Sequence, residues 1–441
     1  MNDNAPVTAP PPPLVTIGAG PASRGGALPL VTAIRPYAWG SPAAFPELFG
    51  TPATGEPQAE LWAGAHPGAP STVDGVPLGE LIARDPAGML GEPVVRAFGP
   101  VLPYLLKVLA VERPLSLQVH PTMAQARAGY AREQAAGPPV GDAARTYRDP
   151  FHKPEMVCAL TGFHGLCGFR APGDAAAVLE ALGVAPGPDG ERSDAAAQVR
   201  DWIAALRAVF QQMLDPGNPA VLAARAAIER ALIDGPMAAG FDVYADLARA
   251  CPGDPGVTAA LLLNHVRLAP GQAVFLGAGV PHAYLGGVTV EIMANSDNVL
   301  RCGLTGKHVD VPELMRVVTF EPSPPHFVPA EPASPAASGR QIYRPPVEEF
   351  GLVHHALTGQ EPHRLPGGVP QIVLCVEGEV AIEAARAVRL GAGQAAFVPA
   401  SLTGARLTGR GTVYRAVPGL SLSPSPASPA PPASAPEGWR A

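Results

Sequence analysis

A chain of 441 residues, 47% hydrophobic and with a net charge of −7, is long enough for two or three hydrophobic cores, and with no basic run it is poorly suited to a nucleic-acid partner. Its five cysteines (Cys158, Cys167, Cys251, Cys302 and Cys375) are odd in number and free of Cys-x-x-Cys spacing, which points to a reducing compartment and excludes a thiolate zinc site of the usual kind. The start MNDNAPVTAPPPP lacks the features of a signal peptide and no window of eighteen residues is continuously apolar, so a cytoplasmic protein with no membrane partner is expected.

In chain order, residues 1–27 are rich in Pro, Ala and Gly and are expected to be disordered. Within them LVTIGAGPAS, at 14–23, imitates the strand and glycine turn of a dinucleotide-binding unit. Pro21 interrupts the place where a helix should begin, Ser23 takes the third glycine position, and no acidic residue lies about twenty positions on, so that reading fails. From 28 to 171 short apolar runs alternate with turn residues and predict a mostly β region. From 172 to 262, stretches such as AAAVLEALG, AVLAARAAIERALI and FDVYADLARA repeat apolar residues at helical spacing, which predicts an all-helical insertion. Ser193-Asp194 and Asn218-Pro219 are helix-start signals within it.

Strands resume over 263–322, a Pro-rich and Ala-rich linker is expected over 323–340, a second β region over 341–420, and a disordered tail over 421–441. The phrases LAPGQAVFLGAG (268–279) and LGAGQAAFVPAS (390–401) are alike and read as equivalent hairpins of two related barrels.

LSLQVHP, at 115–121, sets Gln118 and His120 two residues apart, on one face of a strand. Either they satisfy each other and the nearby backbone, or they share a ligand. FHKPEM places Pro154 directly before Glu155, and VPHAY places His282 directly after a proline. An amide oxygen, two imidazole nitrogens and a carboxylate form a donor set suited to zinc and tolerable for manganese, cobalt or iron(II). With one anionic ligand, a divalent ion keeps a net charge near +1, which suits a Lewis acid meeting an oxygen-rich substrate. Taken singly, each residue also has a structural reading: Gln118 bonded to strand ends, Glu155 as a helix cap, His282 as a satisfied turn residue.

A second cluster lies in TVEIMANSDNVLRCGLTGKHVDV, at 289–311. Glu291 stands alone in an apolar strand pattern, which is costly unless it is paired or working. Arg301 and Lys307 bracket the loop RCGLTGK, which lacks the four-residue spacer of a nucleotide-binding phosphate loop and has His308 in place of its Ser or Thr. A single phosphate held by Arg and Lys fits this loop, and a solvated basic turn is the alternative.

The stretches RPYAWGS, AELWAGAHPGAPS, LPYLLKVL, LSLQVHP, HKPEM, LCGFR, GVPHAYL and VEIMANSDNVLRCGLTGK occur in this order. In them the sequence resembles the type I mannose-6-phosphate isomerases, zinc enzymes with a cupin-like core that interconvert mannose 6-phosphate and fructose 6-phosphate. The resemblance implies a mainly β fold with an α insertion. Two cupin- or jelly-roll-like β-barrel domains, a catalytic one over 28–171 and 263–322 and a C-terminal one without metal ligands, accompany a helical domain inserted over 172–262.

It implies one zinc per chain on Gln118, His120, Glu155 and His282, with Arg301 catalytic. Trp39, Glu60, Lys107, Lys153, Glu291, Asp297 and Lys307 are implied as the lining of the active site, with Glu291 the candidate base and Lys153 a shuttle for the hydroxyl proton. The implied partner is a small sugar phosphate, with no obligate protein partner. Three departures flank the motifs: Phe151 stands where the family usually has Asn, Gly306 where Pro is common, and Thr122-Met123 where Asp-Lys follows the histidine and proline. A cupin-type iron(II) oxygenase and a non-catalytic sugar-phosphate binding protein are the rival readings. The basic Arg301/Lys307 pair counts against the first and the complete ligand set against the second.

Overall fold

The computed structural model describes residues 25–182, 195–214, 217–234, 241–333 and 339–422. The glycine-rich lure at 14–23, the helix start at Ser193-Asp194 and nearly all of the two expected disordered termini therefore lie outside the described residues.

The described chain is mainly antiparallel sheet with helices set against it. One large sheet runs, from edge to edge, through His326–Val328, Ala273–Leu276, Glu155–Ala159, His282–Ala294, Tyr104–Val111, Glu60–Gly64 and Ala33–Arg35. Leu117–Val119 and Phe163–Phe169 pair with the first half of His282–Ala294, and they in turn carry Leu300–Gly303 and Leu263–Leu268. The second sheet runs through Leu28–Leu30, Ala395–Val398, Gln371–Glu383, Arg406–Val417, Gly351–Thr358, Arg340–Tyr343 and Glu331–Pro332. Neither order closes into a ring among the described residues. Between the strands Phe163–Phe169 and Leu263–Leu268 the described chain is helical, in Pro172–Ala181, Ala195–Met213, Pro219–Asp234, Asp242–Ala250 and Pro255–Ala260.

The two sheets share one register. Pairing runs Glu60–Leu109–Thr289–Ala159 across the first and Arg340–His355–Val413–Cys375 across the second. The outermost arms are exchanged. Leu28–Leu30 pairs with the second sheet and the chain then enters the first at Ala33–Arg35, while His326–Val328 pairs with the first and the chain then enters the second at Glu331–Pro332. The Pro-rich segment read as a linker is therefore strand on both sides of its crossing. Its proline at 332 sits on an edge strand, where no inner neighbour needs the missing N–H.

The two similar phrases form matching turns, but not hairpins. Gly271 and Gly393 both take a left-handed φ, 83° and 80°. Gln272 Oε1 accepts from Ala269 N at 2.8 Å, and Gln394 Oε1 accepts from Gly391 N at 2.9 Å. The strands around the first turn pair with different strands, Leu263–Leu268 with Phe163–Phe169 and Ala273–Leu276 with Glu155–Ala159, whereas those around the second, Val388–Gly391 and Ala395–Val398, pair with opposite ends of one long strand, Gln371–Glu383. Each phrase is thus a corner between ladders; the sequence shows the turn but not the partners it separates.

The sheets pack face to face through one apolar face of each. Leu106, Val108, Met156, Val290 and Ile292 of the first share a core with Leu352, Ile372, Leu374, Tyr414 and Ala416 of the second. The Tyr104 hydroxyl ties them, 3.0 Å from the Pro370 carbonyl and 3.2 Å from that of Ala416. Tyr104–Val111 is buried at every position, so Lys107 lies on the face turned away from that core. Truncating a core leucine such as Leu106 to Ala costs about 2–5 kcal/mol.

Candidate metal centre

The inward face of the first sheet gathers the residues expected as ligands. Gln118, on Leu117–Val119, lies opposite His282 in the ladder on one side and opposite Arg301 on the other. Glu155 begins its strand beside Leu276 and Met293. His282, Tyr284 and Glu291 reach one space because the register shifts by one residue between Tyr284 and Gly286. In an unbroken strand, 284 and 291 would face opposite sides; a bulge reverses that parity. Gly287, at φ 105°, permits the bend: a Cβ there would lie 2.4 Å from the Gly162 carbonyl oxygen.

His120, Glu155 and His282 are buried, and one donor atom from each lies within 4.8 Å of the others. His120 Nδ1 donates to the Asn298 carbonyl at 2.8 Å, and His282 Nδ1 donates to that of Val280 at 2.9 Å. Both rings are thereby fixed through Nδ1, so the neutral tautomer presents Nε2 as the lone pair a metal would take. His120 Nε2 is 3.3 Å from Glu155 Oε1 yet makes no hydrogen bond, an orphaned buried acceptor. His282 Nε2 is 3.5 Å from Glu155 Oε2 and 3.5 Å from the Gln118 amide nitrogen; a half-turn of that amide presents its oxygen instead.

Burial brings the His120 imidazole down to about 4, which keeps it neutral. Burial alone would raise Glu155, but Lys153 and His120 outweigh it and hold the carboxyl well below its usual range. Two imidazoles held through Nδ1, one ionised carboxylate and an amide oxygen fit a zinc ion.

Beside this group, Tyr284 OH lies 3.2 Å from Glu155 Oε2 and 3.1 Å from Glu291 Oε1. Lys107 Nζ lies 3.0 Å from Glu291 Oε2 and 3.4 Å from Glu60 Oε2, over the Trp62 ring. Burial raises the Glu291 carboxyl above its ordinary value; Lys107 opposes this, and Glu155 and Glu60 add to it.

The structure thus brings together His120, Glu155, His282, Gln118, Lys153, Lys107, Glu60 and Glu291. Trp39 is half-buried against the neighbouring apolar cluster. Asp297 is a rim residue, half exposed, 3.5 Å from His66 Nε2. Arg301 is half-buried, and burial followed by the Arg148 charge lowers its pKa. Lys307 is exposed. The backbone N–H groups of Leu304 and Thr305 donate to the Asp254 carboxylate at 2.7 and 3.1 Å, so the GLTGK loop is pinned and those amides are unavailable to a phosphate.

Several residues escaped the sequence reading. Tyr284 stands two residues after His282 in the same strand, and that spacing was the available signal. Asn298 was hidden because its task is local: its amide bonds Arg148, Asp149 and Phe151 while its carbonyl holds His120. The departures have simple settings. Thr122 caps the helix Met123–Ala136 in a capping box with Gln125. Phe151 is exposed and contributes its carbonyl to Asn298 and Ser296, which any residue would supply.

Comparison with known proteins agrees with this geometry. Residues 27–172 match the family model of the phosphomannose isomerase type I catalytic domain. Mannose-6-phosphate isomerase of Escherichia coli K12 is 37% identical over 402 residues, spanning 88% of this chain and 98% of that protein. The Bos taurus protein of the same name is 35% identical over 386 residues, 80% of this chain and 88% of its own. A crystal structure of a phosphomannose isomerase variant from Salmonella typhimurium superposes with a TM-score of 0.80 at 35% identity, covering 89% of this chain and 99% of that one. A zinc-bound mannose 6-phosphate isomerase does so at 0.79 and 35%, with the same coverage. With His120, Glu155 and His282 gathered where a metal could be held and relatives matched along nearly their whole length, the chain belongs to the type I phosphomannose isomerases.

Proposed function

We propose that this protein is a zinc-dependent aldose-ketose isomerase that interconverts mannose 6-phosphate and fructose 6-phosphate through an enediol. The observation that carries the reading is the buried convergence of His120, Glu155 and His282, with both imidazoles fixed through Nδ1, beside a carboxylate whose proton affinity is raised. Zinc held by these three and Gln118 supplies Lewis acidity toward the substrate oxygens.

The chain's own groups do the rest. Glu291 takes the proton from C2 of the aldose and returns it to C1, kept in place by Tyr284 on one oxygen and Lys107 on the other. Lys153 moves the proton between O1 and O2. Arg301 meets the charge that develops on those oxygens, and Lys307 holds the phosphate. Glu60, Trp39 and Asp297 line and orient the sugar.

The finer architecture belongs to the same proposal. The two sheets are cupin-like domains, catalytic over 28–171 and 263–322 and metal-free in the C-terminal one, the helical stretch over 172–262 is an insertion, and the five free cysteines suit a reducing cytoplasm. The test is conversion of mannose 6-phosphate to fructose 6-phosphate by the purified chain, before and after chelation and after adding back single metals. Activity that survives complete metal removal, or is missing after zinc is restored to a folded chain, overturns the reading.

A further inference from the structure

The second sheet holds an inward polar cluster that the proposed reaction does not use. Following the shared register, Arg340 stands where the first sheet has Glu60, Gln371 where it has Glu155, and Arg415 where it has Glu291. Arg415 is only 5% exposed. Its Nε donates to His355 Nε2 at 3.2 Å and one terminal nitrogen donates to Gln371 Oε1 at 2.8 Å. Because His355 accepts through Nε2, its proton is on Nδ1, which donates to His363 Nδ1 at 3.0 Å and leaves the His363 proton on Nε2. Gln371 donates its own amide to the Pro366 carbonyl at 2.6 Å.

Each of the three side-chain acceptor atoms, His355 Nε2, His363 Nδ1 and Gln371 Oε1, thus already has a donor, and further donors remain. A guanidinium has five N–H donors, and Arg415 uses two of them among the described residues. Arg340 Nε is buried with no hydrogen-bond partner. No described carboxylate pairs with either arginine; the charges acting on Arg415 are those of Arg340 and Tyr104, and the charge of Glu361 acts on His363. Burial, and then repulsion by Arg340, brings the Arg415 guanidinium down to about 10. An unpaired buried charge is costly.

We propose that Arg415 and Arg340, completed by His363, form a second binding site in the C-terminal sheet, for a small oxyanion of the phosphate class. The first interior, lined by Glu60, Glu155 and Glu291, takes a cation; the second, with basic and amide groups at the same register positions, takes an anion. Phosphate matches the paired forks of two guanidinium groups, and the depth of Arg415 favours a small ligand. The site goes beyond the isomerase reading and does not depend on it.

The experiment is calorimetric titration of the zinc-loaded full chain with inorganic phosphate, in wild type, Arg340→Gln, Arg415→Met and Lys307→Ala. The expected result is one phosphate equivalent whose affinity falls at least about tenfold in Arg340→Gln and in Arg415→Met and is unchanged in Lys307→Ala, in line with the loss of a charge-assisted bond of roughly 1.5–3 kcal/mol. Arg340 is only partly buried, so its variant decides the matter if Arg415→Met does not fold. Identical titrations in wild type and Arg340→Gln, or no phosphate bound beyond the equivalent that Lys307→Ala removes, overturn the site. Methyl phosphate then distinguishes the sources: equal affinity assigns the site to a phosphoryl group on a metabolite, and much weaker binding assigns it to inorganic phosphate, either result upholding the site.

Discussion

Where the first sheet places Glu155 at the head of a strand, the second places Gln371; where the first has Glu291 facing Lys107 in the ladder, the second has Arg415 facing Val353. On the opposite face of the same strands the match is of another kind. Met156, Cys158 and Ile292 correspond to Ile372, Leu374 and Ala416, all buried between the sheets. The face that packs one sheet on the other can change only within apolar residues, since a polar side chain there would lose its water without gaining a partner. The inward face is held by hydrogen bonds and charge, and a few substitutions at fixed register positions reverse its sign. The frame is thus shared while the chemistry is set by three or four positions on it.

The sharpest way to break this comparison is to remove a ligand. His120→Ala or His282→Ala is expected to lose bound zinc and more than about a hundredfold in activity, since even the outer partners of a metal site are worth 10–100-fold. Metal analysis is expected to find one zinc in wild type and none in either variant. Full activity with zinc retained would undo the assignment, and two zinc ions per wild-type chain would undo the contrast between the sheets.

Much of the first interior was legible in the sequence because its residues are anomalous where they stand. Glu291 in an apolar strand, and His120 and His282 beside prolines, mark themselves without any knowledge of the partners. The alternation of strands, the described helices between Phe163–Phe169 and Leu263–Leu268 and the likeness of the two Gly-Gln turns were legible for a similar reason, being written in local spacing. What depends on long-range pairing was not. The exchange of Leu28–Leu30 with His326–Val328 leaves no trace in either segment's composition, and the reading of 268–279 as a hairpin failed because the turn residues do not name the strands they separate. The second interior was read only as lacking the ligands of the first. Its His355, Gln371 and Arg415 look ordinary one at a time, and only the ladder shows that they meet.

Within the first site, Arg301 and Lys307 separate by rigidity. Arg301 is half-buried in a ladder opposite Gln118, whereas Lys307 is exposed at the end of a loop pinned by Asp254. Arg301→Ala is expected to lower kcat about a hundredfold with KM nearly kept, as for a preorganised electrostatic donor. Lys307→Ala is expected chiefly to raise KM for mannose 6-phosphate. Steady-state kinetics at confirmed zinc content checks both, and a reversed pattern exchanges the roles.

The two glutamines offer a smaller and more direct comparison. Gln371→Ala removes the acceptor of a buried guanidinium and is expected to cost about 1.5–3 kcal/mol of stability. Gln118→Ala, at a half-buried position, is expected to change the stability of the zinc-free chain by less than about 0.5 kcal/mol while weakening its zinc affinity. Urea unfolding without metal, followed by zinc titration, measures the pair. Equal losses of stability would mean that the two interiors are held together in the same way.

The smallest effect concerns pH. Burial, followed by the charges of Arg415, His363, Arg340 and His354, holds the His355 imidazole well below its ordinary value of 6.5. The folded chain therefore keeps His355 neutral over a range in which the unfolded chain takes up a proton. Stability rises with pH wherever the unfolded state binds more protons, so this contribution is complete above pH 6.5 and is lost as pH falls below it. The slope approaches about 1.4 kcal/mol per pH unit for one proton. His355→Gln keeps an acceptor for Arg415 and has no proton to gain, so its stability is expected to fall less steeply between about pH 6.5 and pH 5, by up to that slope. Urea unfolding of both proteins across this range, in buffer free of phosphate, gives the difference directly. Parallel slopes would show that His355 titrates alike folded and unfolded, and the basic interior would then lack the enclosed, acid-free character that sets it against the first.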